Sequence, residues 1–169
     1  MNNIICIAGP TASGKTALAV ELAKITNGEV VSCDSMQIYK GMDIGTAKPT
    51  TEEMQGIPHH MLDVASPEED FSVSRYCGMA TPIVDDILAR GKTAIIAGGT
   101  GLYMDSLIKG NDFAPFPSTG MREKLEQQAD REGMEDMQQL LRSIDPEAAA
   151  RIHDRKRLIR ALEVYYETG

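Results

Sequence analysis

The residues best suited to chemistry stand early in the chain. Gly9, Pro10, Thr11, Ala12, Ser13, Gly14, Lys15 and Thr16 match the phosphate-loop pattern Gly-x-x-x-x-Gly-Lys-Ser/Thr. Successive backbone N–H groups of such a loop point inward at an anion, and the helix that follows adds the positive end of its dipole. Lys15 would neutralise a terminal phosphate as a point charge, and the Thr16 hydroxyl would help hold Mg2+. The loop by itself leaves the reaction open, because nucleotide hydrolysis, phosphoryl transfer and diphosphate release all need polyphosphate held beside a metal.

Two more groups narrow the choice. Asp34 follows the strand predicted at 29–33 and should emerge on the same edge as the loop. A carboxylate there can accept a proton from an attacking amine or hydroxyl, or it can cap the next turn, and position alone supports both equally. Gly98-Gly99-Thr100-Gly101 can bring backbone amides and the Thr100 hydroxyl to the same phosphates, or form a tight turn with Thr100 as its cap. No acid follows the run at 93–97, where phosphate-loop NTPases usually carry a metal-holding Asp. His59 and His60 are neighbours on an extended segment, so they face opposite ways and are read as structural. Met36, Met42 and the other methionines are read as packing groups, with an apolar pocket lining as the alternative for Met36.

These residues need elements to position them. Residues 3–8 form a short β-branched run ending at Gly-Pro and predict a buried strand. Leu18, Ala19, Leu22 and Ala23 lie at helical spacing within 15–26, and Asn27-Gly28 closes that helix. Residues 29–33 predict the second strand, 41–58 a long functional loop, 60–64 a short strand, 72–90 a helix ended by Gly91, and 93–97 a further strand. This alternation implies a parallel sheet covered on both faces and joined by right-handed crossovers. Beyond Phe113 the texture changes. Residues 114–118 read as a linker, with a boundary near Pro115 that separates an α/β core at 1–115 from a helical part at 116–169. Helices are expected at 121–133, 134–143 and 145–166, the last interrupted at His153-Asp154.

Composition removes several classes. With 42% hydrophobic and 25% charged residues the chain is of globular type, and no run reaches the roughly 20 apolar residues that span a bilayer. Cys6, Cys33 and Cys77 are odd in number and widely spaced, so neither a disulfide framework nor a paired-cysteine zinc site is expected. A cytoplasmic monomer with no membrane partner is the expectation. A net charge of −8 argues against a protein that coats nucleic acid, yet Arg151, Arg155, Lys156, Arg157 and Arg160 concentrate positive charge near the end.

Three strings taken together resemble the tRNA dimethylallyltransferase family: the loop at 9–16, the run from Asp34 to Pro49, and Gly98-Gly99-Thr100-Gly101-Leu102-Tyr103. Ile57-Pro58-His59-His60 and the run from Arg157 to Val164 match as well, whereas the family's Pro-Asn before Asp154 is missing. The resemblance implies a nucleotide-kinase-like, P-loop NTPase-like α/β fold with a small α-helical insertion domain. It implies transfer of a dimethylallyl group from its diphosphate to N6 of the adenine beside the tRNA anticodon, with Mg2+. Asp34 would be the general base, and Thr100, Lys15 and Thr16 would stabilise the leaving diphosphate. The tRNA anticodon stem-loop would meet Asp34, Ser35, Met36, Gln37, Thr100, Arg122, Lys156, Arg157, Leu158, Ile159 and Arg160. Members of the family ordinarily continue with segments that complete the substrate channel and add an arginine for the diphosphate. The alternative is a small-molecule or nucleoside monophosphate kinase, in which the same loop holds ATP.

Overall fold

A computed structural model describes residues 3–110 and 119–168. The chain divides into two compact units, Met1–Phe113 and Ala114–Gly169. The expected linker at 114–118 lies outside the described residues.

The first unit is an α/β layer structure. Its strands are β1 (Ile4–Ala8), β2 (Gly28–Ser32), β3 (His59–His60) and β4 (Thr93–Gly98). They pair in the order β1-β4-β2-β3, all parallel, so every strand delivers its C-terminus to one edge. The helices of this unit are α1 (Lys15–Thr26), α2 (Thr51–Met54), α3 (Val73–Ala89) and α4 (Gly101–Lys109). Alternation along the strands splits the core in two. Val30 and Ile95 pack with Ala19 and Ala23 of α1 on one face, while Val31 and Ile96 pack with Tyr76, Ala80 and Ile87 of α3 on the other. Burial on both faces is why the middle of β4, residues 94–97, reads as a continuous apolar run. Asn27 ends α1 in the left-handed conformation, and Ser72 caps α3 by accepting from the Arg75 N–H.

Three expectations need correction. The run at 3–8 is largely exposed, with Ile4 48% exposed and Ile7 alone buried within Ile4–Ala8, because among the described residues β1 pairs only with β4. The strand expected at 60–64 is only His59–His60, since Met61 (φ 62°) and Asp63 (φ 55°) turn left-handed directly after it. The long loop contains α2, held by a reciprocal capping box in which Thr50 accepts from the Glu53 N–H and Glu53 accepts from the Thr50 N–H.

The second unit is helical: α5 (Met121–Glu132), α6 (Met134–Ile144), α7 (Pro146–Arg151) and α8 (Arg155–Thr168). Leu125, Met137, Leu141, Leu158, Ile159 and Leu162 form its core. Asp154 caps α8 by accepting from the Arg157 N–H at 2.9 Å, which is the break expected at that point. Among the described residues no helix is long and apolar enough to cross a membrane.

Candidate active site

The parallel sheet opens three chain segments on one edge, after β1, β2 and β4. The segment after β1 is the phosphate loop. Ala12 (φ 63°) and Gly14 (φ 81°) are left-handed there, a conformation disfavoured for Ala by roughly 1–2 kcal/mol. Strain of this kind collects at ligand-binding loops. Helix α1 starts without a side-chain cap, which leaves its first-turn N–H groups available to an anion. Lys15 folds over its own loop, with Nζ donating to Pro10 O at 2.5 Å.

The segment after β2 carries Asp34, whose two oxygens divide the readings proposed for it. Oδ1 accepts from the N–H groups of Met36 (2.9 Å) and Gln37 (3.3 Å), a capping role. Oδ2 takes no part in those bonds and lies beside Gly99. A Cβ on Gly99 would stand 4.0 Å from Asp34 Oδ2 and 3.4 Å from Gly9 O, so Gly99 lies beside both the carboxylate and the start of the phosphate loop. Gly98 is more constrained: a Cβ would stand 1.9 Å from Cys33 O. Tyr76 supports this corner from beneath, donating its hydroxyl to Ser32 O at 3.0 Å and stacking on Tyr103 with centroids 4.5 Å apart. Burial pushes the neighbouring Cys33 thiol up to about 12, which leaves it unreactive.

The segment after β4 carries Thr100. It occupies the N-cap position of α4 but makes no side-chain cap bond. Instead its Oγ1 accepts from Ser35 N at 3.0 Å and donates to Ser35 Oγ at 3.2 Å, while its N–H donates to Cys33 O. Asp34 and Thr100 therefore belong to one hydrogen-bonded corner.

A cavity of about 260 Å³ gathers Thr11, Ala12, Ser13, Gly14, Lys15 and Thr16 with Asp34 and Gln37. Gly9, Pro10, Ser35, Met36 and Thr100 stand outside its lining, and Met36 is 44% exposed. Thr46, Ala47, Pro49 and His59 form a further wall of the cavity, residues whose types alone do not mark them for the site. Gln37 builds that wall: its Nε2 donates to Thr46 O and Ala47 O, each at 3.2 Å, and its Oε1 accepts from Ser32 Oγ. Lys48 anchors the same wall. Its side chain is 5% exposed and bonds to Tyr39 O, Asp43 and Asp63. Burial works against its charge, but the two carboxylates outweigh that and hold its pKa above the usual lysine value.

The helical unit holds a separate groove of about 600 Å³, where Arg122, Lys156, Arg157 and Arg160 surround Ile152 and Val164. Arg157 and Arg160 also pair with Asp154 and Glu163. Leu158 and Ile159 do not join the groove: at 0% and 2% exposure their side chains build the unit's core, not an RNA-facing surface.

Residues 37–169 match the IPP transferase family. The chain belongs to the IPP transferase family. Among its relatives, a tRNA dimethylallyltransferase of Acetivibrio thermocellus is 53% identical over 99% of this chain and 55% of its own length. Another, of Caldanaerobacter subterraneus, is 56% identical over 98% of this chain and 54% of its own. The chain thus spans about half the length of the curated relatives it matches. Several solved structures resemble it, among them two transferases. One is a eukaryotic dimethylallyltransferase acting on tRNA (TM-score 0.85, 34% identity, all of this chain and 42% of that one). The other is a tRNA isopentenylpyrophosphate transferase of Bacillus halodurans (TM-score 0.67, 45% identity, all of this chain and 57% of that one). The parallel sheet flanked by helices is the P-loop NTPase-like fold of these IPP transferases, as the sequence predicts.

Proposed function

We propose that this IPP transferase chain carries the diphosphate and acceptor-amine sites of a tRNA dimethylallyltransferase. The observation that supports this most is the sharing of one cavity by a phosphate loop and Asp34, with Gly99 close to both Asp34 Oδ2 and the Gly9 carbonyl. In this reading the loop at 9–16 holds a leaving group. The adenine N6 lone pair forms a bond to the first carbon of the dimethylallyl group, the carbon–oxygen bond to diphosphate breaks, and that electron pair departs with the diphosphate. Asp34 Oδ2 takes the proton from N6. Because an adenine amine is a weak nucleophile, the rate comes from positioning and from stabilising charge on the diphosphate through Lys15 and the loop N–H groups. Thr100 acts with Ser35 to hold the corner on which Asp34 stands.

The donors present suit Mg2+, which takes few protein oxygens and completes its shell with phosphates and water. Among the described residues no three His, Cys, Asp or Glu gather into a cage of their own. The Thr16 hydroxyl, which lines the cavity, would hold the cation, and the cation would neutralise phosphate charge. The acceptor is the adenine beside the anticodon, which must leave its stack to reach the cavity. Arg122, Lys156, Arg157 and Arg160 would contact the backbone of the tRNA anticodon stem-loop, local charge that suits one folded RNA on a net acidic chain.

Incubation with labelled dimethylallyl diphosphate, Mg2+ and unmodified tRNA tests the reading. Labelled RNA with one diphosphate released per label supports it. Consumption of ATP with unlabelled RNA would point to a kinase instead.

A further inference from the structure

Gln37 stands among the residues that the family resemblance assigns to RNA, yet its polar groups are all engaged within the chain. Its N–H donates to Asp34 Oδ1 at 3.3 Å, and its carbonyl accepts from the Asp63 N–H at 3.2 Å. In the side chain, Nε2 donates to Thr46 O and to Ala47 O, each at 3.2 Å, and Oε1 accepts from Ser32 Oγ at 3.0 Å. A primary amide has two N–H donors, and here two carbonyls take them. Reading the edge of an adenine with a Gln needs a free N–H beside its carbonyl, to meet N7 and N6 together. Gln37 keeps no N–H for that.

The bonds of this side chain join two parts of one cavity. Ser32, Gln37, Thr46 and Ala47 all line it together with the phosphate loop. Ser32 ends β2 and is 4% exposed, so it is a fixed point of the sheet. Ala47 is exposed and left-handed (φ 48°), a conformation unfavourable for alanine. Its backbone needs support from elsewhere, and Gln37 supplies it from the strand end. The residue divides its work: the main-chain N–H serves the Asp34 carboxylate, and the side-chain amide serves the wall. Replacing the side chain removes the second and spares the first.

We propose that Gln37 is a positioning residue for the prenyl donor: its side chain holds the wall at 46–47 against the end of β2 and so sets the affinity for dimethylallyl diphosphate, without contacting the RNA. This rests on the functional reading above. Donor binding and chemistry then separate at this residue, because the bond that orients Asp34 belongs to the backbone.

The test is single-turnover transfer to unmodified tRNA at graded concentrations of dimethylallyl diphosphate with Mg2+, beside separate calorimetric titrations of donor and of tRNA. Gln37→Met keeps the length of the side chain and deletes its donors and its acceptor. The donor concentration at half-saturation and the donor dissociation constant should rise roughly five- to tenfold. Transfer at saturating donor, and tRNA affinity, should stay within about twofold of wild type. Ser32→Ala removes only the bond to Oε1 and should weaken donor binding by less. The double variant should bind donor no worse than Gln37→Met, since the same strut is lost only once. If Gln37→Met does not melt cooperatively, Ser32→Ala alone decides, with weaker donor binding and unchanged tRNA affinity expected. A fall in tRNA affinity with donor binding intact would make Gln37 an RNA contact and overturn the proposal. Unchanged donor binding, additive losses in the double variant, or loss of transfer at saturating donor would overturn it as well, and each leaves the functional reading standing. A wild type that binds no donor would overturn both.

Discussion

At the scale of single residues, Asp34 and the glycines around it do the most. Asp34 caps Met36 and Gln37 through Oδ1, which leaves Oδ2 for the proton transfer proposed above, and Gly98 and Gly99 differ in kind though they are adjacent. Gly98→Ala would drive a methyl into the Cys33 carbonyl, whose oxygen is 1.9 Å from the Cβ position. Backbone must shift, so it should destabilise the first unit by more than the roughly 1–3 kcal/mol of ordinary overpacking, as read by urea denaturation. Gly99→Ala meets only ordinary contacts, at 3.4 and 4.0 Å. It should leave stability nearly unchanged and lower prenyl transfer instead, by crowding the carboxylate and the start of the loop. Comparable stability loss in both variants would show that the absence of a side chain at Gly99 has no catalytic meaning. The sequence announces the phosphate loop and Asp34 because each is a local string following a strand. It cannot announce the contrast between Gly98 and Gly99, which depends on how closely β4 approaches the end of β2.

At the scale of elements, the long segment between β2 and α3 is ordered by side chains that reach across it. Gln37 and Lys48 bond to its backbone and acids, turning a loop into a cavity wall. Lys48→Met keeps the buried stem and removes the charge. It should weaken binding of dimethylallyl diphosphate, as followed by calorimetry, while Lys24→Met at an exposed position should not. Some of this segment is legible in the chain and some is not. Thr50 and Glu53 carry the spacing of a capping box, yet Gly, Pro and Thr around them disguise a helix of four residues. The turn after His60 needs left-handed Met61 and Asp63, residues whose types do not advertise it. In the helical unit, periodicity alone separates Leu158 and Ile159 from their basic neighbours. Leu158→Ala should cost about 2–5 kcal/mol, whereas Lys156→Ala should leave melting unchanged and reduce the salt dependence of tRNA binding by about one counterion.

At the scale of the whole molecule, the two ends of the sheet have different work. The C-terminal edge holds the cavity; the opposite end is tied by Glu29, 3% exposed, which accepts from Arg90 (2.5 and 2.9 Å), Lys92 (2.7 Å) and His60 (2.8 Å). The Arg90 guanidinium, above all, holds the Glu29 carboxyl well below the usual carboxylate range. Its folded pKa is thus below the unfolded value of about 4.3, so its stabilisation is complete above about pH 5 and is lost as pH falls toward the folded value. Glu29→Gln should flatten the acid limb of the stability curve. Its cost at neutral pH should be below the about 3–5 kcal/mol of a fully buried pair, since Arg90 and Lys92 are 39% and 31% exposed. Among the described residues β1 pairs only with β4, which the apolar run at 3–8 cannot reveal. What unites loop, corner and wall is the claim that Asp34 removes the proton while the phosphate loop holds the leaving diphosphate. Single-turnover transfer by Asp34→Asn tests it most directly, because Asn can still cap Met36 and Gln37. The account predicts unchanged melting and unchanged diphosphate affinity with transfer slowed by roughly 10²–10⁴. Transfer at the wild-type rate would contradict it.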